Sequence, residues 1–334
     1  MTVMNKNFVD FMGKYVGQKI AVGVSGGVDS VALLHWLVEM GMDVVCLHVN
    51  HCLRPAADTE AKYVQDLCKK LNVPCHVFKW CGDKPKTGLE DAARVARYKF
   101  MTDFCHENRI GYIATAHQAD DQIETFWMNL ARGSGVYGLA AMRGVGRVDG
   151  VKILRPLLGV FRSELQEYCD GNNIKYFSDE MNFDPHYTRV KIRQNRNEVQ
   201  EKLGVSDDRL LLAIQNLGRV RESMERDMSG LVSAVIVKNR AIFNETFLFD
   251  LGGDIRLKFL GTLIQKIGGD RYQPRLKSLS LALEKLGGDC KFTIGHCVVR
   301  RLGEKILVVR EGEKTSFRTR YGKEKKYVKQ NRKK

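Results

Sequence analysis

The feature that most constrains this chain is a change of period over a few residues. The stretch "VGVSGGVDSVALLHWL" at 22–37 passes from an apolar β-rich run, through Ser-Gly-Gly, into apolar residues spaced three and four apart. The first run reads as a strand, "IAVGV", and the second as a helix with Val31, Leu34, Leu37 and Val38 on one face. The alternation then repeats. Further strands read as "DVVCLHVN", "CHVFKW", "IGYIATA" and a weaker "KILRPL". Between them lie helical segments, one with Ala61, Val64, Leu67, Cys68 and Leu71 in line, and another with Ala92, Ala96, Phe100 and Phe104. A fourth helix is expected from near Asp120 to Arg132, and a fifth opens at Ser163, with Gln166 completing a capping box. Strands alternating with helices of this length predict an α/β fold, a parallel sheet with helices on both faces.

Beyond Asn182 the alternation stops. A basic segment, "YTRVKIRQNRNEVQEKLG", leads into a helix-rich stretch, and from about 250 two more helices precede a strand pair, "HCVVRRL" and "KILVVRE", turning at Gly303-Glu304. The expected organisation is a catalytic domain over 1–200, a helical connector over 201–245, a small α+β domain over 246–320 and a basic tail over 321–334. The 334 residues suffice for two cores. No apolar run reaches the ~18 residues of a spanning helix, and the amino-terminal stretch lacks a signal-peptide core, so a cytoplasmic protein with no membrane role is expected. Nine cysteines, an odd number with no Cys-x-x-Cys pair, read as reduced thiols.

Fifty-four Lys and Arg against 39 Asp and Glu give a net charge of +15, which suits a polyanionic partner, nucleic acid first, although surface lysines can serve solubility alone. The tail "KEKKYVKQNRKK" would add affinity for phosphates without specificity.

A strand, a glycine turn and a helix start place backbone N–H groups and the positive end of a helix dipole together, which favours an anion. Gly26 and Gly27 permit close approach with Val28 between them and the helix, Ser25 and Ser30 offer hydroxyls, and Asp29 offers a carboxylate to a phosphate-bound Mg²⁺. The ordinary alternative is a βα turn capped by Asp29 and Ser30. The segment lacks both the Walker ending and the dinucleotide spacing. It resembles the PP-loop of the ATP pyrophosphatases, which split ATP between its α and β phosphates and adenylate a carbonyl oxygen. The resemblance implies an adenine nucleotide α-hydrolase-like fold and transfer of AMP.

Five other segments narrow this: "VNHCLRPAADTEA" at 49–61, "LEDAARVARYKF" at 89–100, "TAHQADDQIETFWMNLARGSGVYGLAAM" at 115–142, "RPLL" at 155–158 and "SDEMNFDPHYTRVKIR" at 178–193. In this order and spacing they resemble the tRNA(Ile)-lysidine synthetase family, strongly over about 18–195. The resemblance implies adenylation of the wobble cytidine of a CAU anticodon at its C2 oxygen, then attack by the ε-amine of L-lysine with loss of AMP. It places ATP on Ser25, Gly26, Gly27, Val28, Asp29, Ser30 and His51. Arg97, Asp121 and Glu124 fall about the lysine, His117 becomes a candidate proton acceptor, and Arg189 and Arg193 become contacts to tRNA(Ile). A homodimer is compatible with it. The family's asparagine after the first of these arginines is Val190 here.

Alternatives differ in what they require. "ADDQIET" is also ordinary acidity at a helix start. A PP-loop thiolase would deliver sulfur through positioned cysteines, a small-molecule synthetase would turn over without RNA, and a degenerate RNA-binding protein would leave ATP intact. His48, His51 and Cys52, or Cys290, His296 and Cys297, supply neither four ligands nor zinc spacing.

Replacing Asp29 with alanine is expected to abolish release of AMP and pyrophosphate, followed with labelled ATP. Normal pyrophosphate release by that variant would remove Asp29 from the site.

Overall fold

The structure, a computed structural model, describes residues 4–53, 57–82, 84–85, 87–177, 188–270, 272–288 and 291–312. It forms two compact units, 1–221 and 222–334. The tail expected over 321–334 lies outside the described residues.

In the first unit the chain runs α1 (Lys6–Met12), β1 (Ile20–Gly23), α2 (Val28–Glu39), β2 (Val44–Asn50), α3 (Ala57–Lys70), β3 (Cys75–Lys79), α4 (Leu89–Glu107), β4 (Tyr112–Ala114), α5 (Ala119–Ala131), α6 (Val136–Leu139), β5 (Val145–Val148), β6 (Val151–Leu154), α7 (Arg162–Gly171) and α8 (Thr188–Leu203). The helix α9 (Asp207–Val235) follows. The helical stretch expected as a connector over 201–245 is therefore divided, because α9 contributes its first half to one unit and its second half to the other.

The sheet order is β3-β2-β1-β4-β6-β5. Every pairing from β3 to β6 is parallel, and only the edge strand β5 runs antiparallel, in a hairpin closed at Asp149-Gly150. Period-two alternation distributes the strands between two cores. Ile20 and Val22 face a cluster with Val31, Leu34 and Leu37 of α2 and Leu165 and Tyr168 of α7. Ala21, Val45 and Leu47 face the opposite cluster, with Tyr98, Met101 and Phe104 of α4. Both faces are covered, as the near-continuous apolar strands require.

The helix expected to open at Ser163 starts one residue earlier, with Phe161 at its N-cap. The Glu164 carboxylate, not Gln166, accepts the Phe161 N–H at 2.7 Å and also takes the Asn5 amide at 2.9 Å. A carboxylate is favoured near the helix dipole's positive end, so Glu164 takes the place assigned to the neutral glutamine.

The amino-terminal ends of α5 and α7 and the middle of α8 are fastened by one carboxylate. Asp120 Oδ2 accepts the backbone N–H of Arg162 at 3.1 Å, and Oδ1 accepts Arg196 Nη2 at 2.5 Å. Arg196 also stands 3.8 Å from Asp207 at the start of α9. The side chains of Arg196 and Asp120 are only 12% and 17% exposed, so losing one partner strands the other charge in a poorly solvated place. Behind this clamp, Leu210 and Ile214 of α9 pack on Ile123 of α5, and Arg221 donates to the Ala141 carbonyl at 2.8 Å.

The second unit carries β7 (Ile236–Val237), β8 (Arg240–Asn244), α10 (Glu245–Asp250), α11 (Gly253–Gly268), α12 (Leu276–Leu286), β9 (Lys291–Ile294), β10 (Cys297–Leu302) and β11 (Lys305–Arg310). Its sheet, β7-β8-β11-β10-β9, is antiparallel throughout. One face packs on α11 and α12 through Phe243, Phe259, Leu263, Leu279 and Val299. The two helices and the Gly303-Glu304 hairpin match expectation, whereas β7, β8 and β9 go beyond the strand pair read from the sequence.

Asp120→Asn is expected to lower the stability of the first unit by about 2–4 kcal/mol, because it leaves Arg196 poorly paired. Glu198→Gln, in the exposed Lys202–Glu198 pair, is expected to leave the denaturation midpoint unchanged. Equal midpoints for both variants in a urea titration would show that Asp120 is no clamp.

Candidate active site

β1 and β4 are adjacent, but the chain leaves β1 toward β2 on one side and β4 toward β6 on the other. Such a reversal opens a crevice at the carboxyl ends of the strands. Two of the segments singled out in the sequence sit on its two lips, the turn after β1 and His117 after β4. The cleft there has a volume of about 380 Å³, a size suited to a small-molecule ligand.

The turn 24–27 is closed by one hydroxyl. Ser30 Oγ accepts the N–H groups of Ser25 and Gly26 at 3.1 and 3.3 Å and donates to the Gly27 carbonyl at 2.9 Å, while Ser25 Oγ stands 3.1 Å away. Two of the loop amides expected to wait for an anion thus bond to Ser30. The anion-attracting element is instead the start of α2, whose N-cap is Gly27, a residue with no side chain to cap the first amides. Gly26 has φ +97°, where a β-carbon is strained, and its carbonyl accepts the N–H of Phe177 at 2.9 Å. Phe177 also forms a parallel bridge with Gly27, so the segment following α7 backs the turn.

Ser25, Gly27, Asp29 and Ser30 all line the cleft. Gly26 lies behind them, and the Val28 side chain is buried in the core, leaving only its backbone to the site. Asp29 Oδ2 stands 3.8 Å from Arg162 Nη1 at the head of α7. His51, Arg97, His117 and Asp121 line the same cleft, so residues from four separated motifs do converge. Glu124 does not reach its walls. It lies one turn further along α5 and is 1% exposed. Arg189 and Arg193 fall four residues apart within α8, and their side chains lie outside the described part of the structure.

Asp121 has two roles. Its Oδ2 accepts the Gln118 N–H at 3.0 Å, while the Gln118 side chain accepts the Asp120 N–H at 2.5 Å, a reciprocal capping box that fixes the start of α5. The ordinary helix-start reading of "ADDQIET" is thus true of Asp120 and in part of Asp121, yet Asp121 also faces the cleft. His117 Nδ1 lies 3.0 Å from Thr115 Oγ1, whose hydroxyl is 3.4 Å from the Leu154 carbonyl. With Thr115 donating to that carbonyl, Nδ1 carries the proton and Nε2 carries the lone pair.

His48 and His51 are held toward the neutral form. His48 Nδ1 is 2.8 Å from the Val24 carbonyl, which can only accept, so Nδ1 is the protonated nitrogen. Burial lowers its pKa, and the same bond opposes the shift. His51 falls from 6.5 to about 4, first through burial and then through the positive charges of Arg97 and Lys84. Its ring meets Trp80 edge-on with centroids 5.7 Å apart.

Asn50, Glu60, Thr115 and Phe177 also line the cleft; the first three stand inside the segments singled out in the sequence but take no role there, and Phe177 lies outside them. Asn50 accepts the Cys52 N–H at 2.8 Å and donates to Asp58 at 2.9 Å, ordering the turn that carries His51. Phe177 has no local signal, since its place depends on a bridge to Gly27, far away in the chain.

The fold and this cleft define a PP-loop nucleotide-binding protein, and the family model for the PP-loop domain matches residues 1–200. Among curated relatives, the tRNA(Ile)-lysidine synthase of Wolbachia pipientis wMel is 31% identical over 326 residues, covering 94% of this chain and 75% of that one. The enzyme of the same name from Ruegeria pomeroyi is 33% identical over 305 residues, covering 88% and 71%. The chain belongs to the tRNA(Ile)-lysidine synthase family. Among solved structures, the U34-tRNA thiolase NcsA from Methanococcus maripaludis, with its [4Fe-4S] cluster, shares the fold at TM-score 0.54 and 17% identity, covering 64% of this chain and 78% of that one.

Because His51 is neutral in the folded protein and titrates near 6.5 when unfolded, the unfolded chain binds the extra proton between these values. Stability from this group is full above about pH 6.5 and is lost as pH falls toward 4. His51→Gln is expected to flatten that part of the acid limb in urea midpoints measured from pH 7 to pH 4. An unchanged limb would place the titration elsewhere.

Proposed function

We propose that this chain joins L-lysine to C2 of the wobble cytidine of tRNA(Ile) bearing a CAU anticodon, using ATP and releasing AMP and pyrophosphate. The observation that carries the reading is the single cleft in which the PP-loop residues Ser25, Gly27, Asp29 and Ser30 face Arg97, His117 and Asp121. The activity for which its relatives are named supports it, and so does the net charge of +15, which suits an RNA partner.

The start of α2 and the Ser25 and Ser30 hydroxyls would take the ATP phosphates, with neutral His51 beside the nucleotide. Asp29, on the cleft wall, offers the hard oxygen donor that Mg²⁺ accepts, and the bound ion would offset phosphate charge. The cytidine O2 attacks the α-phosphorus, the bond to the β-phosphate oxygen breaks, and pyrophosphate leaves. The oxygen on C2 is then part of a good leaving group. The lysine ε-amine attacks C2, the C2–O bond breaks, and AMP departs. His117 Nε2 takes the proton the amine loses. Asp121 pairs with an ammonium group of the lysine, and Arg97 holds its carboxylate. Glu124, buried behind Asp121, supports that acidic wall from within α5. Arg189 and Arg193 on α8 contact tRNA phosphates, and the second unit grips tRNA outside the anticodon. ATP and tRNA as substrates imply action in the cytoplasm, and no helix among the described residues is long and apolar enough to cross a membrane.

Sulfur delivery is the competing outcome, but no cysteine among the described residues lines the cleft.

Purified protein with ATP, Mg²⁺ and a CAU isoleucine tRNA transcript is expected to incorporate labelled lysine and no other amino acid. Pyrophosphate and AMP without lysine in the RNA would overturn the acceptor while sparing the nucleotide assignment. Asp121→Asn keeps an acceptor for the cap but removes the charge, so KM for lysine is expected to rise about 10–100-fold, the value of a charge-assisted hydrogen bond, with KM for ATP little changed. An unchanged lysine KM would take Asp121 out of the pocket.

A further inference from the structure

Three thiols meet in the first unit at a place the proposed reaction does not use. Cys46 lies on β2, Cys68 in the last turn of α3 and Cys75 at the start of β3, and their sulfurs all lie within 4.8 Å of one another. None of them lines the cleft. We propose that Cys46, Cys68 and Cys75 form a thiolate site for a soft d¹⁰ cation of the zinc, copper(I) and cadmium class.

The geometry supports it first. A metal–sulfur bond of about 2.3 Å in a trigonal arrangement puts the sulfurs about 4 Å apart, inside the observed limit, so closing the site needs side-chain adjustment and no movement of the backbone. The three elements are also rigidly placed. Cys46 and Cys75 are direct neighbours in the parallel register of β2 and β3, and α3 lies in the crossover between these two strands.

The surroundings suit soft ligands. Cys46 and Cys68 are 0% and 1% exposed, and both belong to an apolar cluster against which Cys75 packs. Thiolates in a dry shell select soft ions over magnesium or calcium. An entry path exists because β3 is the edge strand of the sheet and Cys75 is only partly buried. Within the cluster one thiol is activated: hydrogen bonds from Cys46 and Cys68 favour the thiolate of Cys75, while Cys46 and Cys68 are themselves pushed up, as burial alone pushes the solitary Cys105 up to about 12.

Binding of a divalent ion forms three S–metal bonds and releases the proton of each thiol that is still protonated, so occupancy rises with pH. The ion would tie β2, α3 and β3 together. Two residues beyond Cys46, His48 bonds to the carbonyl of Val24 at the entry to the PP-loop, so the site would brace the nucleotide turn from outside the cleft.

The test uses reduced, metal-free full-length protein in a Cys52→Ser, Cys81→Ser background, which removes the two exposed thiols among the described residues. Titration with Cd²⁺ alone is expected to give an ultraviolet thiolate-to-cadmium band that saturates at one equivalent per chain, with a rise in the thermal midpoint. Cys75→Ala, at the partly exposed edge, should lose both, with circular dichroism confirming that it folds, whereas Cys105→Ala should keep both. Absence of a saturating band, a band that survives Cys75→Ala, or its equal loss in Cys105→Ala would overturn the proposal.

Discussion

The arrangement on which the site depends is the pairing of β1 with β4 at the point where the sheet changes direction. Parallel strands hydrogen-bond side by side, yet their continuations leave toward opposite edges, so nothing fills the space above their carboxyl ends. The segments that follow β1 and β4 each deliver a functional turn to that gap. Within the first unit, α2 and α7 packed on one face of the sheet and α4 on the other hold these two turns at a fixed separation.

Charges in the first unit divide between holding the fold and facing the cleft. Asp120 and Asp121 are adjacent, but α5 turns them to different tasks. Asp120 binds Arg196 and the head of α7, and Asp121 completes the cap of its own helix while facing the cleft. A carboxylate fixed by its helix loses little entropy when a cationic ligand arrives, which is the advantage of building a site on a helix start. Arg162 extends the connection, since its backbone bonds to Asp120 and its guanidinium stands near Asp29. The nucleotide turn and the acidic wall are thus parts of one electrostatic frame.

Much of this is legible in the chain's local patterns. The apolar strands, the helical periods and the Ser-Gly-Gly turn announce the sheet and the anion site, because backbone preferences and burial patterns are written in short stretches. Ser30 is legible as a hydroxyl at the site but not as the group that takes the loop's own amides, since that depends on the turn's course in space. Glu124 shows the limit of helical spacing. Three residues from Asp121 puts it near the same face, but the curvature of the cleft ends before it, and it is buried. The cap of α7 departs from expectation although Ser163 and Gln166 fit the capping-box pattern better than Phe161 and Glu164, because Glu164 is also held by Asn5 at the start of α1.

The sequence by itself determined the alternation of strands and helices, the phosphate-binding turn and the polar residues available to the chemistry, because each arises from neighbours a few positions apart. The tertiary structure alone decided which of those residues share a cleft. It set the strand order that opens the cleft, brought Phe177 behind Gly27, assigned Asp120 to Arg196 and gathered Cys46, Cys68 and Cys75. The physical reason is that these contacts join segments far apart in the chain, and their partners are selected by the packing of whole helices on a sheet, which no local window contains.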